Sequence, residues 1–119
     1  MPNKNIKFNY DEENDILFIY HSGQKSNGSI EYGNNIHISF AKKEVAGLEI
    51  MDAASTLSAM SNGKITKETL SATTECDLYT RKAKGLLFVH FTCKFTPKTE
   101  PLESYLTMQD ITYNSPMAA

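Results

Sequence analysis

The sequence predicts an α+β fold: an antiparallel β-meander with one short helix, followed by further antiparallel strands. Three observations carry this. Apolar and polar residues alternate at a period of two through Ile6–Tyr10, Ile36–Phe40 and Thr74–Arg81, the pattern of half-buried strands. Short turn-forming clusters separate the runs, among them Asp11-Glu12-Glu13-Asn14, Gly33-Asn34-Asn35 and Lys82-Ala83-Lys84-Gly85. Helical spacing of apolar residues is clear in one stretch, where Ala53, Leu57 and Met60 share a face.

The elements follow in order. Ile6, Phe8 and Tyr10 make the inward face of a first strand, and the acidic cluster after them favours a hairpin loop through Asx turns. Ile16 to His21 is apolar on both faces, which predicts a central strand covered on two sides. After a polar loop, Ser29 to Tyr32 and Ile36 to Phe40 pair across Gly33-Asn34-Asn35, residues that tolerate the positive φ of a tight hairpin. A fifth strand carries Leu48 and Ile50 inward, and Gly47 within it marks a bulge or a close backbone approach. Asp52 stands where an N-cap would, its carboxylate in reach of the Ala54 or Ser55 amide. Gly63 suits the left-handed position just past a helix. Lys64 to Ala72 leaves room for another helical turn begun at Thr66. Thr74–Arg81, Leu86–Phe95 and Ser104–Gln109 rebuild sheet, the second of them again apolar on both faces.

The chain of 119 residues reads as one domain, with a β-meander plus helix over residues 6–61 and a β-rich extension over 64–113. A core of this size needs no metal or disulfide staple. The net charge is −2 and no long run of Lys or Arg occurs, against a broad phosphate-neutralising surface. No apolar run approaches the ~20 residues of a membrane helix, and the N-terminus lacks a signal-peptide pattern, so a cytoplasmic location is the expectation. Cys76 and Cys93 then read as reduced residues on neighbouring strands, where a disulfide is conceivable but not the expectation.

Tyr10-Asp11-Glu12-Glu13-Asn14-Asp15 before an apolar strand, the lone Glu31 in the next strand, and Val45-Ala46-Gly47-Leu48-Glu49-Ile50-Met51-Asp52-Ala53-Ala54-Ser55 resemble a known pattern. It is that of the small bacterial and archaeal proteins grouped as domain of unknown function 2283. Ala46 and Ala54 are extra relative to the shortest form of the terminal motif. The resemblance covers residues 8–55 and implies a β-meander followed by a helix. It implies no activity, and nothing from Asn62 onward shares in it.

Register supplies the candidate site. If Tyr32 opposes Ile36, Glu31 opposes His37, and aligning Ile38 with Leu48 sets His37 against Glu49. Opposed side chains lie ~5 Å apart, so Glu31, His37 and Glu49 would form an acid–His–acid row on the face away from Ile30, Ile38 and Leu48. Such a row could hold a divalent metal weakly or tune a general base, but the favoured reading is a solvated sheet face using opposite-charge pairs for stability. Asp11 and Asp15 read as turn formers, Asp52 as a structural cap, and His21 and His90 as packed or edge residues.

No catalytic residue, cofactor or tight metal site is expected, because nucleophile, P-loop and His-Glu-X-X-His motifs are all absent. The leading expectation is a small non-enzymatic protein-binding or regulatory protein, antitoxin-like or inhibitor-like. It would have a protein partner and form a homodimer, since one short helix is too little to cover so large a sheet. The alternative is a metal-assisted hydrolase or small-ligand binder using the acid–His row. A nucleic-acid binder, with Arg81, Lys82 and Lys84 beside Tyr79, ranks third.

Overall fold

The computed structural model describes residues 5–41, 44–61, 63–96 and 101–109. Eight strands and two helices follow one another as β1 (Ile6–Asp11), β2 (Ile16–His21), β3 (Gly28–Tyr32), β4 (Ile36–Ala41), β5 (Glu44–Met51), α1 (Ala53–Ser61), α2 (Lys67–Ser71), β6 (Thr73–Ala83), β7 (Leu86–Phe95) and β8 (Leu102–Gln109). The architecture is α+β with antiparallel sheets throughout. The expected Lys42-Lys43 turn, Asn62 at the helix end, most of the Thr96–Pro101 loop and the tail at Asn114–Ala119 lie outside the described residues.

The five-stranded sheet has the order β1-β2-β5-β4-β3. Hairpins join β1 to β2, β3 to β4 and β4 to β5, and β5 then slots in beside β2. That places Leu17 opposite Ile50 and Ile19 opposite Leu48, while Ile36 and Ile38 meet the same two residues from the other side. The resulting apolar square is almost wholly buried. The second sheet, β6-β7-β8, turns Leu78, Leu87, Val89, Phe91, Phe95 and Leu106 into the same cluster of buried side chains. β6 packs against β1 and β2, α1 touches β5 and β8, and the Tyr32 hydroxyl donates to the Thr107 carbonyl at 3.3 Å. The two sheets thus cover each other's inner faces.

Helix α1 buries Ala53 and Leu57 with Met60 partly buried beside them, the stripe expected from spacing. Ser58 Oγ donates to the Ala54 carbonyl and accepts from the Ile65 amide, each at 2.7 Å, fixing the link to α2. There Thr66 is the N-cap, its side chain accepting from the Thr69 amide at 3.1 Å. The fold therefore has a second helix where the sequence left room for one turn.

Three local expectations are corrected. β2 and β7 are central in hydrogen bonding, as expected, but each is covered on one face only. Ile16, Phe18 and Tyr20 face away from the core, as do Phe88 and His90. Gly63 does not take the left-handed conformation, which is found at Gly23, Gly33 and Gly85. The carboxylate that caps α1 is not that of Asp52, which itself sits at φ 47° and offers its carbonyl to the Thr56 amide at 2.9 Å. Asp15 takes the capping role.

Candidate functional site

The outer face of the five-stranded sheet is built by register. Glu31 lies opposite His37 and His37 opposite Glu49, as the sequence predicted. The row continues through Phe18 and Asn9 on β2 and β1. Two residues along each strand runs a second row of Lys7, Tyr20, Gly47, Ser39 and Ser29. The face therefore has polar edges, aromatic side chains on β2 and Glu49 and Gly47 on the middle strand β5, with Ile16 and Met51 continuing the apolar part on the other side of the first row.

Within the predicted row the structure joins two of three residues. His37 Nε2 stands 3.7 Å from Glu31 Oε1, with side chains 33% and 73% exposed. A pair this open to water is screened and contributes ~0–1 kcal/mol. Glu49, opposite His37 on the other strand, is among the residues lining the hollow described next. Among the described residues no three His, Cys, Asp or Glu side chains converge as a metal shell.

The hollow lies over Gly47. Across from Gly47 the β4 ladder shifts register between Ser39 and Phe40, which leaves Ala46 as the extra residue of a bulge. A Cβ on Gly47 would stand 3.0 Å from both the Ile19 carbonyl oxygen and the Tyr20 Cβ, so the bulged strand can approach β2 only with glycine there. Bulge and close approach, offered as alternatives by the sequence, occur together. Phe18, Tyr20, Ser39, Glu49 and Gln24 are among the residues that line the hollow, of about 550 Å³. It is an open depression in the sheet face. Its aromatic wall and single carboxylate suit contact with another surface.

A polar knot at the β1–β2 turn is structural. Asp15, at φ 57°, accepts the Tyr10 hydroxyl at 2.6 Å and the Ala54 amide at 3.2 Å, and its carbonyl takes the Ala53 amide at 2.9 Å. The β1–β2 turn thereby holds the start of α1 from thirty-nine residues away in sequence. Burial, and then the hydrogen bond to Asp15, push the Tyr10 hydroxyl well above its ordinary range. Asp11 closes the turn itself, accepting from the Asn14 side chain at 2.8 Å; this bond and one from the Asn14 backbone hold Asp11 below the usual carboxylate range.

Sequence reasoning missed a feature of the second sheet. Tyr79, His90 and Tyr105 stack across β6, β7 and β8 on its outer face, with centroids 4.8 Å and 5.5 Å apart, and Arg81 lies 4.5 Å from the Phe88 ring centre. Counting outward positions in each strand could have found this ladder once the register was known. Only His90 is stacked on both faces; Tyr79 and Tyr105 remain 50% and 60% exposed, and the stack stabilises the sheet as cross-strand aromatics do. His21 sits opposite Ile6 in the other sheet, so it shares no site with His90.

No curated protein and no solved structure matches the chain. Among the described residues, no helix is long and apolar enough to cross a membrane. A family match exists for the first part of the chain and ends at the knot just described. Residues 7–53, from β1 to the first residue of α1, match the family model described as "Protein of unknown function (DUF2283)".

Proposed function

We propose that this is a small non-enzymatic protein-binding protein that works through the outer face of its five-stranded sheet, and that the first occupant of that face is a second copy of the chain. One observation carries the reading: Phe18, Tyr20, Ile16 and Met51 form the aromatic and apolar part of a face on the side of the sheet away from the core. Helices and second sheet pack on the opposite side. Tyr20 is 42% exposed, and the Gly47 hollow beside it gives an opposing side chain somewhere to enter. Tyr20 is exposed, and Ile16, Phe18 and Met51 beside it are half-buried; contiguous apolar surface open to solvent favours contact with a partner.

Charge placement favours self-association. Lys7 lies on the edge strand β1 and Glu31 on the opposite edge strand β3. Two-fold packing about an axis along the strands sets the β1 edge of one copy over the β3 edge of the other, bringing Lys7 toward Glu31 twice. An isologous contact of this sort closes on itself and does not propagate. Light scattering across micromolar concentrations tests this: the wild-type chain should run as a dimer, and Tyr20→Glu as a folded monomer of 13.3 kDa. A wild-type monomer throughout, or a dimer indifferent to Tyr20→Glu, would overturn the reading.

A further inference from the structure

We propose that Cys76 and Cys93 are a dithiol that hydrogen peroxide closes to a cross-strand disulfide, fastening the edge strand β6 to the middle strand of its sheet. The two residues are direct partners in the β6–β7 ladder. Both are buried and free, with their sulfur atoms 3.3 Å apart. Directly opposed residues of an antiparallel pair have Cα atoms ~4.5–5.5 Å apart, inside the ~4.4–6.8 Å window of disulfides. The pairing therefore sets a Cα spacing compatible with a bridge, and the sulfur atoms already face one another at 3.3 Å.

The two thiols differ in access. Cys76 is on the edge strand and 5% exposed, whereas Cys93 on the middle strand is fully covered. A small oxidant thus reaches Cys76 first when β6 frays. The Cys76 thiolate attacks one peroxide oxygen, the O–O bond breaks, and the departing hydroxide is protonated to water, leaving a sulfenic acid. The Cys93 thiolate then attacks the Cys76 sulfur; the S–S bond forms, the S–O bond breaks, and a second water departs. Two thiols and one peroxide become one disulfide and two waters. The hydrogen bond to Cys93 and burial push the Cys76 thiol up, so the closed form of the hairpin reacts slowly and oxidation follows strand opening.

The consequence is mechanical. β6 is the strand that packs on β1 and β2, so tying it to β7 secures the joint between the two sheets. Cross-linking also restrains the unfolded chain. The test is intact mass of the native full-length chain after peroxide treatment, followed by alkylation in denaturant and peptide mapping. The expected result is loss of two hydrogens, no alkylation, a peptide linking Cys76 to Cys93, and a thermal midpoint that rises and returns on reduction with dithiothreitol. Two alkylated cysteines, sulfinic acid without a linked peptide, or links only between chains would overturn the proposal. A midpoint that fails to rise would overturn the fastening role. In Cys93→Ser, dimedone should trap Cys76 as the sulfenic acid; no adduct would defeat Cys76 as the first thiol.

Discussion

Replacing Asp15 by alanine removes two interactions and adds one conformational cost, and their sizes can be read from the geometry. The Ala54 amide loses its side-chain acceptor, which at a helix N-terminus costs ~1 kcal/mol. The Tyr10 hydroxyl loses a carboxylate partner at 2.6 Å in a part-buried site, worth ~1.5 kcal/mol at the lower end for bonds to charged groups. Alanine must also hold φ 57°, a left-handed conformation that costs it ~1 kcal/mol. Asp15→Ala should therefore destabilise by ~3–4 kcal/mol. Asp15→Asn keeps an acceptor and tolerates positive φ, and should cost ~1 kcal/mol. Urea denaturation followed by circular dichroism reads both. Tyr10→Phe closes the cycle: its loss should nearly vanish in the Asp15→Ala background, a coupling of ~1–1.5 kcal/mol. An Asp15→Ala chain within ~0.5 kcal/mol of wild type, or strictly additive Tyr10 and Asp15 losses, would refute the knot.

Three further outcomes follow from single positions. Gly47→Ala should lose ~1–3 kcal/mol, since the new methyl meets backbone and Cβ atoms at 3.0 Å; an unchanged urea midpoint would mean the strands can part there freely. Leu57→Ala, at a fully buried side chain, should cost ~2–4 kcal/mol, and a smaller loss would mean that α1 is loosely docked. Tyr10 has a raised folded value, so its contribution is complete below ~pH 10, the unfolded tyrosine range, and is lost as pH rises beyond it. Stability should accordingly fall less steeply above ~pH 10 in Tyr10→Phe than in wild type, whereas parallel curves would contradict the burial of that hydroxyl.

Much of the first half was legible because its strands are short and joined by tight turns. Gly33 at φ 67° fixes the β3–β4 register, and alternation does the rest, so the opposition of Glu31, His37 and Glu49 followed from pattern alone. What pattern could not supply was any relation between distant segments. β5 joins β2 across more than twenty intervening residues, and only that pairing brings Asp15 to the Ala54 amide. Asp52 looked like the cap because capping is normally local; here the left-handed Asp52 swings α1 so that its first amides point at the β1–β2 turn. The two-faced strands misled for a different reason. Apolar residues on the outer side of β2 and β7 serve surface and cross-strand contacts, and composition does not distinguish these from a buried layer.

Two exposed aromatic faces compete as the interaction surface, and dilution of isotopically labelled protein followed by amide NMR separates them most directly. Shifts that change with concentration are expected at Phe18, Tyr20, Gly47 and Glu49 on the five-stranded sheet's outer face, while those of Tyr79, His90 and Tyr105 stay still. Shifts that move at the Tyr79–His90–Tyr105 ladder instead, or none that depend on concentration, would contradict self-association through that face.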